Sequence, residues 1–157
     1  MINKTITWFI LGSTYFIIET LWRGSTSLWM LLIGGICGLA VGAVNQVKGI
    51  YSKPIWLQSL LAAVIILAVE FTSGYILNIK LGLYLWDYTT QPLNIMGQIC
   101  PVYGVLWFLL APFAIWLEDT LQWVIWQYRR ALHKPYTPSQ IPLYSLGSIY
   151  SDLLTFK

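Results

Sequence analysis

Apolar residues fall in four long stretches separated by short polar breaks, and that pattern predicts helices rather than strands. A helix needs about 20 mainly apolar residues to cross the hydrocarbon core of a bilayer. Residues 6–22 are apolar from Ile6 to Ile18, with Glu19 near the end, and residues 27–46 lie between Arg23 and Lys48 without a charge. Residues 55–77 carry one acid, Glu70, and residues 95–117 run up to the acidic pair Glu118 and Asp119. The expected fold class is all-α integral membrane: a four-transmembrane-helix bundle over residues 1–117, followed by cytoplasmic amphipathic helices. The opening Met-Ile-Asn-Lys resembles the start of a signal peptide, but no small-residue cleavage site follows and Glu19 interrupts the run. A retained first helix is therefore expected.

Past the fourth stretch, Leu121, Val124, Ile125, Tyr128 and Leu132 recur at helical spacing, with Trp123, Trp126, Arg129, Arg130 and His133 among them. Residues 118–133 are too short to span and suit a helix lying in the membrane interface. Residues 134–157 are expected to form a cytoplasmic tail. Pro135, Pro138 and Pro142 break its helix, while Leu143, Leu146, Ile149, Tyr150, Leu153 and Leu154 predict a last amphipathic one.

Four spans put both ends of the chain on one side. That side holds Lys4, Lys48, Lys53, Arg129, Arg130, Lys134 and Lys157, and the other holds Arg23 and Lys80. Cytoplasmic loops carry the excess of lysine and arginine, so both termini are expected in the cytoplasm of a cell membrane, most naturally a bacterial inner membrane. Trp8, Trp56 and Trp116 are expected at the inner headgroup layer, and Trp22, Trp29, Tyr75 and Trp86 at the outer one.

Composition narrows the function. Of the 157 residues 57% are hydrophobic and only 10% charged, with a net charge of +3, too sparse for a nucleic-acid footprint. Two cysteines, Cys37 and Cys100, without a CxxC or a nearby histidine predict neither a disulfide framework nor a metal site. No phosphate-binding GxxxxGK, HExxH or GxSxG occurs, so no cofactor and no catalytic residue is assigned, and ATP chemistry would have to come from another chain.

The candidate binding or pathway residues are Glu19, Arg23, Glu70, Asp87, Asn94 and Gln98. A charge at mid-membrane costs at least ~2.5–3.5 kcal/mol on insertion scales, so it usually faces a cavity or a partner. Arg23 follows Glu19 by four residues on one helical face and is available as an ion-pair partner. Glu70 has no cation on its own face; it is either protonated or partnered from another helix, with Arg23 and Lys80 as the outer-side cations. The outer segment 78–94 reads as an interfacial loop or as a lid that lowers Asp87 and Asn94 toward the glutamates, with Gln98 entering the membrane beside them. Gly34, Gly38 and Gly42, four apart, predict close helix packing, within the bundle or in a dimer. Pro101 and Pro112 are expected to kink the fourth helix.

The two halves also resemble each other. Glu19 and Glu70 are 51 residues apart, and Gly34-Gly35-Ile36-Cys37 reads against Gly97-Gln98-Ile99-Cys100. Two parallel helical-hairpin repeats would set both glutamates at similar depth.

Glu19 with Arg23-Gly24, Met30 and Gly34-Gly35, then Glu70, Gly74, Leu81-Gly82, Trp86-Asp87-Tyr88-Thr89, Pro92, Asn94, Gly97, Ile99-Cys100 and Trp107, resemble the CmpB-like type IV family of ABC-transporter permeases, small bacterial membrane proteins. The resemblance covers roughly residues 15–120. Thr89 stands where the family pattern has serine, and Pro101 where it has an aliphatic residue. The resemblance implies a permease or channel-like transport component. Four spans are few for a permease, so it would work as a homo-oligomer in the lipid bilayer or with a separate ATP-binding subunit. The alternatives are a membrane-embedded enzyme using carboxylates on a lipid or isoprenoid head group, and a non-catalytic scaffold or regulator that docks through its tail.

Overall fold

A computed structural model describes residues 2–45, 47, 49–50 and 53–131. Among these the chain is all-helical, with four α-helices and no strand. Helix α1 covers Ile2–Arg23, α2 Leu28–Asn45, α3 Ile55–Gly74 and α4 Pro101–Ala131, and a π-helical turn, Tyr75–Lys80, extends α3. Ile55–Lys80 and Pro101–Ile125 are long and apolar enough to cross a membrane, and Leu28–Val44 is a shorter apolar helix. The expected tail helix, with Lys134 and Lys157, and His133 lie outside the described residues.

Local chemistry sets the ends of the helices. Gly24 takes the left-handed conformation, φ +76°, and its N–H closes α1 on the Thr20 carbonyl. Pro54 stands just ahead of α3, and its carbonyl accepts from the N–H groups of Leu57 and Gln58. Pro101 is the first residue of α4, where its missing N–H has no intrahelical partner to lose.

This last point corrects the expected fourth stretch. Residues 95–100 are a turn with an isolated bridge from Ile95 to Ile99, and the helix starts at Pro101, not at residue 95. Nor does it stop at residue 117: α4 runs on through Glu118 and Asp119 to Ala131, so the first part of the expected interfacial segment is its continuation. The two Gly-x-Ile-Cys tetrads differ correspondingly. The first is inside α2, and the second lies in the turn and first ladder position ahead of α4.

Packing around α2 positions everything else. At one end Met30 and Ile33 bury against Leu77 and Trp86; at the other Val41 joins Ile55, Ala62, Ile66, Ala111 and Ile115. Helices α1 and α2 run antiparallel in close contact. A Cβ added at Gly34 would come within 2.7 Å of the Tyr15 Cβ, and one at Gly38 within 2.7 Å of the Leu11 Cβ. One added at Gly12 would run into the Leu31 carbonyl, which is backbone and cannot turn aside. Gly42 faces the Glu118 side chain instead. Trp8 reaches Gly35 inside this packing, and Trp86 is 4% exposed, packed against Met30, Ile33 and Leu77.

The helix contacts make a sharp contrast between glycines. Gly12→Ala must force α1 from α2 and is expected to lower stability by about 1–3 kcal/mol. Gly104→Ala meets only the Leu67 Cδ1, at 3.4 Å, and is expected to be neutral or to gain up to about 1 kcal/mol of helix propensity. Thermal unfolding of the two variants in one detergent checks this; equal midpoints would refute the close approach at Gly12.

Candidate binding site beneath the 81–100 loop

Glu70 lies on the buried face of α3, 6% exposed, one helical turn before Gly74. Its carboxyl receives two donors from different elements. The Tyr88 hydroxyl donates to Oε1 at 2.9 Å, and the Trp107 indole N–H of α4 donates to Oε2 at 2.9 Å. The two partners thus take one carboxyl oxygen each. Burial, and then the nearby Glu70 charge, pushes the Tyr88 phenol well above its ordinary range, so it stays a donor.

The two cations considered as partners for Glu70 do not reach it. Arg23 pairs with Glu19, Nη1 to Oε1 at 2.8 Å, and its Nη2 donates to the Leu85 carbonyl at 3.2 Å. Lys80 lies over the Tyr75 ring at 5.3 Å from its centroid. The Thr26 hydroxyl donates to the other Glu19 oxygen, so the pair is tied to the α1–α2 connection. Among the described residues no ion-pair partner faces Glu70.

Residues 81–100 fold over this end of the bundle. Asn78, in the π-helical turn, is 6% exposed and holds the segment: its Nδ2 donates to the Trp86 carbonyl at 3.0 Å and to Gln98 Oε1 at 2.9 Å, and its Oδ1 accepts from the Leu85 N–H at 2.7 Å. The Trp86 indole N–H donates to the Gln98 carbonyl at 3.1 Å. Gly74 leaves room for this, since a Cβ there would meet Trp86 Cζ2 at 2.9 Å as well as the Gln98 amide. Gly97 takes φ +69° and its N–H bonds Asn94 Oδ1 at 2.9 Å.

The six residues singled out from the sequence therefore divide. Glu19, Arg23 and Asp87 line a cavity of about 580 Å³, a volume typical of small-molecule sites. Glu70 lines a second, smaller and mostly apolar cavity of about 100 Å³, which shares Tyr15, Ile18, Trp86, Trp107 and Leu110 with the first. Asn94 and Gln98 line neither and serve the loop: Asn94 Nδ2 donates to the Thr89 and Gln91 carbonyls, and Gln98 Nε2 to the Met96 carbonyl. Asp87 shares the larger cavity with Glu19, and its Oδ1 accepts from the Thr89 N–H.

Sequence reasoning named Tyr88 and Trp107 only within the family resemblance and did not single out Tyr15, Asn78 or Tyr103. Tyr88 stacks on Tyr103, centroids 4.3 Å apart at 23°, and Tyr15 tilts against Trp107 at 5.8 Å. One signal was available: Trp107 lies in the interior of an apolar stretch, away from both headgroup layers, where an indole N–H needs an acceptor.

Fold and site together define a helical membrane-compatible protein with a buried carboxyl beneath a cavity-covering loop. The chain belongs to the family described as "Putative ABC-transporter type IV", whose model matches residues 6–145. No curated protein and no solved structure matches it.

Removing one donor tests the Glu70 arrangement. Tyr88→Phe leaves Oε1 without its partner and is expected to cost about 1–3 kcal/mol in thermal unfolding. Thr72→Val, at an exposed hydroxyl that bonds only its own helix, is the matched control and is expected to change little. Equal midpoints for the two would remove the Tyr88–Glu70 bond from the account.

Proposed function

We propose that the chain is the membrane-embedded component of an ABC-type transporter, a multi-pass permease whose outer cavity receives the solute. The observation that carries this reading is the cavity of about 580 Å³ whose wall includes Tyr88 and Trp107, the two partners of buried Glu70, in a chain of this family. Membrane helices accept an ionisable residue mainly where it serves a solute or ion path.

In this reading α1, α2, α3 with its π-helical turn, and α4 are four spans, with both termini cytoplasmic. Helix α4, 31 residues, is about 47 Å long at 1.5 Å per residue, against a hydrocarbon core of about 30 Å. Its last turns then emerge on the cytoplasmic side. ATP hydrolysis belongs to a separate subunit, and the permease works with it or as a homo-oligomer.

Purification from native membranes in mild detergent, with mass spectrometry of what co-purifies, tests the partner. An ATP-binding subunit in stoichiometric amount is the expected result, and Glu70→Gln is then expected to lower ATP-driven flux at least tenfold while the complex still assembles. A homo-oligomer without an ATPase, or full flux in the variant, would overturn the corresponding part of the reading.

A further inference from the structure

The solute proposed above is not specified by the family, but the walls of its cavity constrain the ligand's charge. Two carboxyls, Glu19 and Asp87, border the larger cavity against one cation, Arg23, and Glu70 borders the smaller cavity that shares part of its aromatic wall. Arg23 is already spent on Glu19, so the balance that remains is negative. Glu70 is satisfied by neutral donors only, and a buried carboxylate without a countercharge is costly.

The rest of the wall is aromatic. Tyr15, Trp22, Trp86, Tyr88, Tyr103 and Trp107 all border the larger cavity. An electron-rich ring attracts a cation to its face, and quaternary ammonium groups are recognised in this way. Tyr88 and Trp107 have their O–H and N–H engaged on Glu70, so neither offers the cavity a free donor for an anion. An anionic ligand would meet this negative balance, and a neutral apolar one would leave it uncompensated.

We propose that the outer cavity binds an organic cation, an alkylammonium group carried either by a soluble solute or by a lipid head group. The proposal deepens the transport reading and rests on its choice of cavity. The volume of about 580 Å³ exceeds what a trimethylammonium group occupies and leaves room for the chain that carries it.

The test is calorimetric titration of the full chain in nanodiscs of phosphatidylglycerol, with choline and with its neutral isostere in which tert-butyl replaces trimethylammonium. Choline is expected to bind at least tenfold tighter than the isostere, and Tyr103→Leu to weaken choline by a similar factor while leaving the isostere within about twofold. Equal affinity for the two probes, or no binding of either, would overturn the proposal, as would unchanged choline affinity in both Tyr103→Leu and Trp22→Leu. Repeating the titration in phosphatidylcholine nanodiscs separates the sources. Competition by the lipid assigns the site to a head group, unchanged choline binding assigns it to a soluble cation, and each outcome upholds the shared chemistry. Because binding is read without flux or ATPase, failure of the transport reading and failure of this proposal show in different experiments.

Discussion

Glu70 joins parts of the chain that are far apart in sequence, and it does so because a buried carboxyl must be given donors. One comes from α4, through Trp107, and the other from the 81–100 loop, through Tyr88. Satisfying that one group therefore fixes α3 against α4 and draws the loop over both. The aromatic partners follow: Tyr88 stacks on Tyr103 a short way along α4, and Trp107 meets Tyr15 of α1. Three of the four helices and the loop are thereby tied to one side chain, and the cavity is the space left between the rings that reach for it.

The loop would not hold this position through apolar contact alone. Tyr84, Leu93 and Met96 all take left-handed φ values near +50°, a conformation that costs a side chain about 1–2 kcal/mol each. Asn78 offsets that cost with bonds to Leu85, Trp86 and Gln98, buried where water does not compete. Its place in a π-helical turn is consistent with this, since such turns recur where a helix departs from regularity for a local purpose. A segment held by a small number of strong polar bonds, with exposed rings such as Tyr84 on its outer surface, is suited to opening as a unit.

Much of the helical order was legible in the sequence because apolar periodicity is a local signal. The breaks at Gly24 and Pro54, and the ends near Arg23 and Gly74, follow from residues at or beside those positions. The start of α4 was not legible in the same way. Ile95 and Met96 continue the apolar run, but Pro101 has no N–H to extend a helix backward, and Gly97 with Asn94 turns the chain just ahead of it. The site shows the same division. Glu19, Arg23 and Glu70 stand out as charges in apolar runs, and the spacing of Glu19 and Arg23 gives their ion pair. The donors to Glu70 come from 18 and 37 residues away, a pairing that no periodicity carries. Asn94 and Gln98 looked like site residues because polar groups near a membrane span attract that reading, and they turn out to satisfy loop backbone.

Under the proposed reading the outer cavity is one end of a path whose other end is closed. Below it Val41, Ile55, Ala62, Ile66, Ala111 and Ile115 pack into an apolar plug contributed by α2, α3 and α4. Past the plug, however, the bundle is not uniformly apolar. Glu118 and Asp119 are buried there, and the hydroxyls of Thr7 and Ser59 are buried without a hydrogen-bond partner among the described residues. An unpaired buried hydroxyl costs about 1–3 kcal/mol, which an apolar residue of similar size would avoid. A bundle selected only to stay shut would have no use for these groups. They are the groups a solute would meet if α4 moved away from α1 and α3, and Pro112, which removes one rung from the α4 ladder near its middle, lowers the cost of bending there. Under the proposed reading, the buried polar groups on both sides of the plug are the ones a solute path through the bundle would use.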